Sequence, residues 1–261
     1  MSEPARNWGD LKTRIITGLV LATVGALAVW AGELWFLLLT VLAVSAMIWE
    51  LAHIVGADKG PVPILLGISG GISVCLMAWF LDANISWAVV LMIVTFAFTA
   101  TRLKNSGTVY AMAILLTASL LITLRNEWGA IWLLWLVLVV IASDVAGYLA
   151  GRSIGGPKFW PSISPKKTWS GTAAGWVAAG IIGAFMAPKL DVGYSLIAVS
   201  IVLAFAGQMG DIVQSALKRQ AGIKDSSNLL PGHGGVLDRL DAIIGASIGL
   251  LIIRLLTGFP S

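Results

Sequence analysis

Apolar runs of membrane-spanning length recur along almost the whole chain, and nothing constrains its fold more. Nine can be placed, at approximately 15–31, 34–52, 62–80, 85–101, 109–124, 129–150, 171–187, 194–214 and 242–257. A helix needs about 20 residues to cross hydrocarbon. Lipid tolerates no irregular backbone facing it, so these runs read as helices. They are continuous, where the strands of a closed β-barrel would be short and alternating. Only 11% of the 261 residues are charged, against roughly a quarter in a soluble domain. The expected fold class is an all-α polytopic integral membrane protein with about nine transmembrane helices. The first run lacks a small-residue cleavage site and leads straight into the second, so it reads as a span rather than a signal peptide. The lone Cys75 sits in an apolar run and implies no disulfide framework.

Basic residues orient the spans, because Lys and Arg accumulate on the cytoplasmic side. With the N-terminus in the cytoplasm, Arg6, Lys12, Arg14, Lys59, Arg102, Lys104, Arg152, Lys158, Lys166, Lys167, Lys218, Arg219, Lys224 and Arg239 all face that side. Only Arg125, Lys189 and Arg254 fall opposite, a split of 14 against 3 that covers all 17 basic residues. Two cytoplasmic loops are large, 151–170 and 215–241, and chemistry is expected there. The chain therefore divides into N-terminal membrane helices, 1–128, and a catalytic membrane half, 129–261. No internal repeat is visible, which weighs against an inverted-repeat transporter.

The polar residues of the second half are unusual. Asp144 lies inside the sixth run and Asp211 late in the eighth, while Asp238 and Asp241 bracket the start of the ninth. An ionisable group in a membrane helix marks function by default, because desolvating it is costly. Asp238 and Asp241 share a helix face at i,i+3. Like charges so close call for a cation between them. Oxygen ligands of this kind suit Mg²⁺, which commonly bridges carboxylates and substrate phosphates. Asp211 would complete the set, with Asp144 as a further candidate ligand. Ser164-Pro-Lys166-Lys167-Thr-Trp169, Lys218-Arg219 and Lys224 would gather phosphate oxygens. In Pro231-Gly-His233-Gly234-Gly235, the glycines permit close approach and amide donation to phosphate. His233 could contact phosphate or serve equally as a hinge or cap, and it has no assigned proton-transfer role. Together these features suggest Mg²⁺-dependent phosphoryl or nucleotidyl transfer on a lipid.

The run Ser215-Ala-Leu-Lys218-Arg219, then Lys224-Asp225, then Leu230-Pro231-Gly-His233-Gly234-Gly235-Val-Leu-Asp238-Arg239-Leu-Asp241 resembles the signature of phosphatidate cytidylyltransferases, or CDP-diacylglycerol synthases. It extends over 27 residues without a gap. The segment from Asp144 through Gly151-Arg152 to Trp169 is similar to the same family, as is the start Leu11-Lys-Thr-Arg-Ile-Ile-Thr-Gly18. The family usually carries an acidic residue between that Trp and Gly, where this chain has Ser170.

The resemblance implies transfer of the cytidylyl group of CTP to phosphatidate, giving CDP-diacylglycerol and pyrophosphate. It implies Mg²⁺, with the number of ions left open, including a second metal. Membrane lipids, a homodimer and no nucleic acid are the implied partners. The expected location is the membrane (the inner membrane in a bacterium), with the active site facing the cytoplasm. Carried over by position, Asp211, Asp238 and Asp241 would be metal-centre carboxylates, and Lys218 and Arg219 would act with them on the reacting phosphates. Lys224, Lys166, Lys167, Ser215, Arg239, His233, Gly234 and Gly235 would hold substrate phosphate.

Two alternatives stand beside this reading. A CDP-alcohol phosphotransferase would need an upstream Asp-Gly-x-x-Ala-Arg part that the motif around Asp238 lacks. An ion-coupled transporter would use Asp144 and Asp211 but would not need basic loops beside a Gly-rich turn.

Overall fold

In the computed structural model the described residues are 8–57, 60–81, 103 and 105–260. They form eight α-helices: α1 (Trp8–Ala31), α2 (Glu33–Ile54), α3 (Val62–Leu81), α4 (Asn105–Thr123), α5 (Ala130–Ser153), α6 (Trp169–Met186), α7 (Ser195–Gln220) and α8 (Leu237–Thr257). Seven helical stretches are long and apolar enough to cross a membrane, and Val62–Ala78 is a shorter apolar helix. The protein is thus an all-α polytopic membrane protein. The run expected at 85–101 lies outside the described residues.

Two local features depart from the sequence expectation. The cytoplasmic loop 151–170 contains an antiparallel hairpin, β1 (Lys158–Trp160) with β2 (Ser164–Thr168). The loop expected at 215–241 is shorter than its sequence bounds. α7 continues to Gln220, so Ser215, Lys218 and Arg219 are helical, and α8 begins at Leu237, so Asp238 and Asp241 sit in its first turns.

The helices differ in how they meet lipid and core. α4 contributes Tyr110, Ile114, Leu115 and Leu120 to the interior, whereas α1 presents Ile16, Leu19 and Leu27 outward. Ile48 and Leu51 of α2, Trp135 and Leu136 of α5, Leu203 of α7 and Leu237 and Leu250 of α8 join one buried cluster that runs across both halves of the chain. Several polar groups inside the bundle pair with one another, which offsets the cost of burying them away from water. Trp135 Nε1 donates to Ser200 Oγ at 2.9 Å. Gln208 ties three helices: it donates to Ser143 Oγ and the Thr172 carbonyl and accepts from Trp176 Nε1.

Small residues set the close crossings. A Cβ on Gly147 would lie 3.2 Å from the Gly171 carbonyl oxygen, and one on Gly151 would lie 2.9 Å from Thr168 Oγ1. The small-residue spacings at Gly147/Gly151 and Gly171/Gly175 therefore serve packing of α5 on α6 within one subunit. α6 starts at Thr168, whose hydroxyl accepts from the Gly171 amide and so satisfies one of the donors a helix leaves open.

Candidate active site

The site is built where α7 crosses α8. A Cβ on Gly210 would sit 2.9 Å from the Gly245 backbone and would collide with the Asp241 carbonyl oxygen. One on Gly245 would collide with the Ala206 carbonyl oxygen. Glycine at both positions lets the backbones touch, and this contact sets Asp211 of α7 beside Asp241 of α8. Asp144 reaches the same region from α5. The charges of Asp144, Asp211 and Asp241 act on one another.

Asp211 is held from two directions. Lys167 Nζ, at the end of the hairpin, meets Oδ2 at 2.5 Å and also donates to the Gln208 carbonyl at 3.2 Å. Ser215, one turn along α7, donates to Oδ1 at 3.2 Å. Among the described residues Asp241 takes only the following amide, Ala242 N, at 2.7 Å on Oδ1.

Asp238 is different. Its Oδ1 accepts from Lys218 Nζ at 2.6 Å and Gln214 Nε2 at 2.9 Å. Its Oδ2 accepts from Ser226 N at 2.8 Å, Ser226 Oγ at 2.9 Å and Gly235 N at 3.0 Å. Four donors and the Ser226 hydroxyl converge on one nearly buried carboxylate, whose side chain is 8% exposed. That arrangement makes Asp238 the knot that ties α7, the 221–236 loop and the start of α8 together. Gly234 (φ 80°) and Gly235 are required here: a Cβ on Gly234 would lie 2.9 Å from Asp238 Oδ2, and one on Gly235 would collide with Ser226 Oγ.

The remaining sequence-predicted residues divide by exposure. Lys166, Arg219, Lys224 and Arg239 are exposed on the same side of the bundle. Arg239 Nε donates to the His233 carbonyl at 2.9 Å and Arg219 Nη1 to the Ile223 carbonyl at 3.5 Å. His233 is part-buried in a turn closed by its own amide on the Leu230 carbonyl. Its ring rests near Gly18 of α1, and its buried Nδ1 has no partner among the described residues. The neighbouring Pro231 carbonyl accepts from Thr17 Oγ1. Ser170, where the family usually has an acid, donates to the Gly155 carbonyl and pairs with Thr168 Oγ1, closing the base of the hairpin.

The sequence pattern described as "Cytidylyltransferase family" matches residues 12–256. The chain belongs to the cytidylyltransferase family. A phosphatidate cytidylyltransferase of Brucella suis biovar 1 (strain 1330) is 35% identical over 253 residues, which cover 91% of each chain. One of Bacillus subtilis (strain 168) is 32% identical over 263 residues, covering 90% of this chain and 94% of the relative. One of Helicobacter pylori is 42% identical over 127 residues, 48% of this chain and 47% of the relative. Membership makes the chain a membrane enzyme that transfers nucleotidyl groups.

Within this family member, the structure brings Asp211, Asp241, Asp238, Lys167, Lys218 and Ser215 together, with Asp144 beside them. It leaves Lys166, Lys224 and Arg219 at the surface. Sequence reasoning missed Glu50, Gln214, Ser226 and Tyr110. Glu50 is fully buried near the end of α2 and accepts from Ser226, Ser227, Val236 N and Leu237 N. A signal for it existed: it is the lone carboxylate inside the apolar run 34–52. Tyr110 carries a buried hydroxyl that has no partner among the described residues.

For a divalent ion the donor chemistry fits, since Asp211, Asp241 and Asp144 offer hard oxygens. Asp238 fits less well, because both of its oxygens are already engaged. Among the described residues no three His, Cys, Asp or Glu side chains already gather as a metal-holding group.

Proposed function

We infer that this enzyme transfers the cytidylyl group of CTP to phosphatidate, releasing pyrophosphate and leaving CDP-diacylglycerol for phospholipid synthesis. A phosphatidate oxygen forms the new bond to the α-phosphorus of CTP, and the bond from that phosphorus to the pyrophosphate oxygen breaks. The attacking phosphate is already anionic at neutral pH, so no strong base is needed. The barrier lies in bringing anions together and in holding charge on the α-phosphate and leaving group, which fixed cations do by position and field.

Lys167 and Lys218 suit that task. Each is held in place by a carboxylate, Asp211 for Lys167 and Asp238 for Lys218. Incoming phosphates compete for Lys167, whose side chain is 24% exposed, more readily than for Lys218 at 12%. Lys166, Arg219, Lys224 and Arg239 form the outer collecting surface for the triphosphate, with Ser215 beside Asp211 and His233 and Gly234 in the turn, while the Gly235 amide expected to hold phosphate is instead taken by Asp238. Mg²⁺ would be held by Asp211 and Asp241, with Asp144 close by and Asp238 joining only by releasing a donor. When bound, it neutralises phosphate charge as the reacting groups meet. A second ion belongs to the same proposal.

The observation that carries this reading is the pair of ion pairs, Lys167–Asp211 and Lys218–Asp238, flanking the close crossing of α7 on α8 at one end of a membrane bundle. One substrate arrives there from lipid and the other from water. The excess of basic residues at that end supports a cytoplasmic site and N-terminus, and in a bacterium the inner membrane. We also propose nine spans; α3 and α4 both begin beside the C-terminal end of α2, at Gly67–Trp49 and Gly107–Val55, which supports that count. The division into supporting helices, 1–128, and a catalytic half, 129–261, and a homodimeric assembly complete the proposal. No nucleic-acid partner is part of it.

The test is direct. Purified protein in detergent, given labelled CTP, Mg²⁺ and phosphatidate, should form a liponucleotide and release pyrophosphate, and a chelator should stop it. No product across a range of phosphatidates and divalent ions would contradict the reading. Light scattering of the same preparation reports the oligomer.

A further inference from the structure

α8 carries two site carboxylates, yet nothing in its own sequence caps it. The residue before Leu237 is Val236, which has no side-chain acceptor for the open amides of the first turn. The acceptor comes from α2, 186 residues away in sequence: Glu50 Oε1 takes Val236 N at 2.9 Å, and Oε2 takes Leu237 N at 2.7 Å. The same carboxylate takes Ser227 Oγ at 2.6 Å and lies 3.2 Å from Ser226 Oγ. Glu50 is 0% exposed. No described Lys or Arg forms an ion pair with it. Three donors, the Ser226 hydroxyl and the positive end of α8 compensate its charge instead.

The two amides it holds immediately precede Asp238. Ser226 bridges the carboxylates, since its hydroxyl reaches Asp238 Oδ2 at 2.9 Å as well as Glu50 Oε2. Gly235 has no room for a side chain because Glu50 and Ser226 press on it. A buried charge placed at such cost and wired to the site is more than a lipid-facing helix requires.

We propose that Glu50 is a positioning residue for the transfer reaction. Its carboxylate fixes the first turn of α8, and with it Asp238 and Asp241, relative to Asp211 and Lys218. The proposal rests on the cytidylyl-transfer reading above. Without this hold the first turn of α8 frays and Asp241 drifts from Asp211. The exposed lysines that collect CTP are untouched, so the loss falls on turnover rather than on CTP binding.

The test compares wild type, Glu50→Gln and Glu33→Gln, each as the full chain in detergent, by kcat, KM for CTP and thermal melting. Glu33 is an exposed residue at the far end of the same helix and serves as the control. Glu50→Gln keeps the shape but turns an amide donor toward amides and hydroxyls. Its kcat per folded molecule should fall on the order of 100-fold, the scale of a small misplacement of reacting groups, with KM for CTP within about twofold and Glu33→Gln unchanged. Should Glu50→Gln fail to fold, Ser227→Ala decides by the same measures, with a smaller fall in kcat of about tenfold. A folded Glu50→Gln, or in its place Ser227→Ala, with wild-type kcat overturns the proposal. So does a change confined to KM, or a loss of activity matching only the unfolded fraction. A wild type that forms no liponucleotide overturns the transfer reading and this proposal together, whereas an active wild type with an equally active variant overturns this proposal alone.

Discussion

Asp238 and Asp241 lie three residues apart at the start of α8, and the protein treats them, and the carboxylates near each, in opposite ways. Asp238 and Glu50 are crowded with donors: four reach the first and three the second, and the one proton of the Ser226 hydroxyl lies between them. Among the described residues Asp211 has two side-chain partners, and Asp241 has only the next amide. A carboxylate whose lone pairs are all engaged locks structure, and pulling it away would strand its donors. One with oxygens to spare can accept a new cation or a water. The difference separates a scaffold, Glu50–Ser226–Asp238–Lys218, from the proposed reactive face of Asp211, Asp241 and Asp144.

That separation can be broken by experiment. The largest effect should come from the reactive face: Asp241→Asn and Asp211→Asn should each lower kcat by about 10³-fold, the scale of losing a main electrostatic element. Asp241→Asn should leave the melting temperature unchanged or higher, since it breaks no ion pair, whereas Asp211→Asn gives up its part-exposed pair with Lys167 and should melt slightly lower. Steady-state kinetics with melting of the same samples checks this. Lys167→Ala comes next, with kcat/KM down by about 10²-fold, because it removes a cation aimed at the reacting phosphates. The smallest effect belongs to the exposed Lys224→Ala. It should raise the KM for CTP by about threefold at low salt and by less at 0.5 M salt, where surface charges are screened.

Much of this was legible in the sequence. Apolar run length gave every described span, because a bilayer imposes helix length directly. Asp144, Asp211, Asp238 and Asp241 stood out as charges at or inside apolar runs, and two of them are ion-paired in the structure, Asp211 with Lys167 and Asp238 with Lys218. The roles were less legible. The i,i+3 spacing put Asp238 and Asp241 on one face and suggested a cation between them, but the donors that occupy Asp238 come from Gln214, Lys218, Ser226 and Gly235, on two other elements. No local pattern reports such convergence. Glu50 illustrates the same limit from the other side. Its first half of the chain reads as plain apolar helix, and its partners lie some 180 residues downstream. The hairpin at 158–168 was hidden by its short strands, which carry no apolar alternation.

The most direct test of the division is Asp238→Asn beside Asp241→Asn, with thermal melting and kcat measured on one detergent preparation of each. Asp238→Asn strands Lys218 beside a neutral amide, at a cost of about 3–5 kcal/mol for a broken buried pair. In a protein of this size that should lower the melting temperature by roughly 10 °C, whereas Asp241→Asn should melt at or above the wild-type temperature with kcat down about 10³-fold. The opposite pattern, a fully stable Asp238→Asn and a destabilised but active Asp241→Asn, would contradict the account.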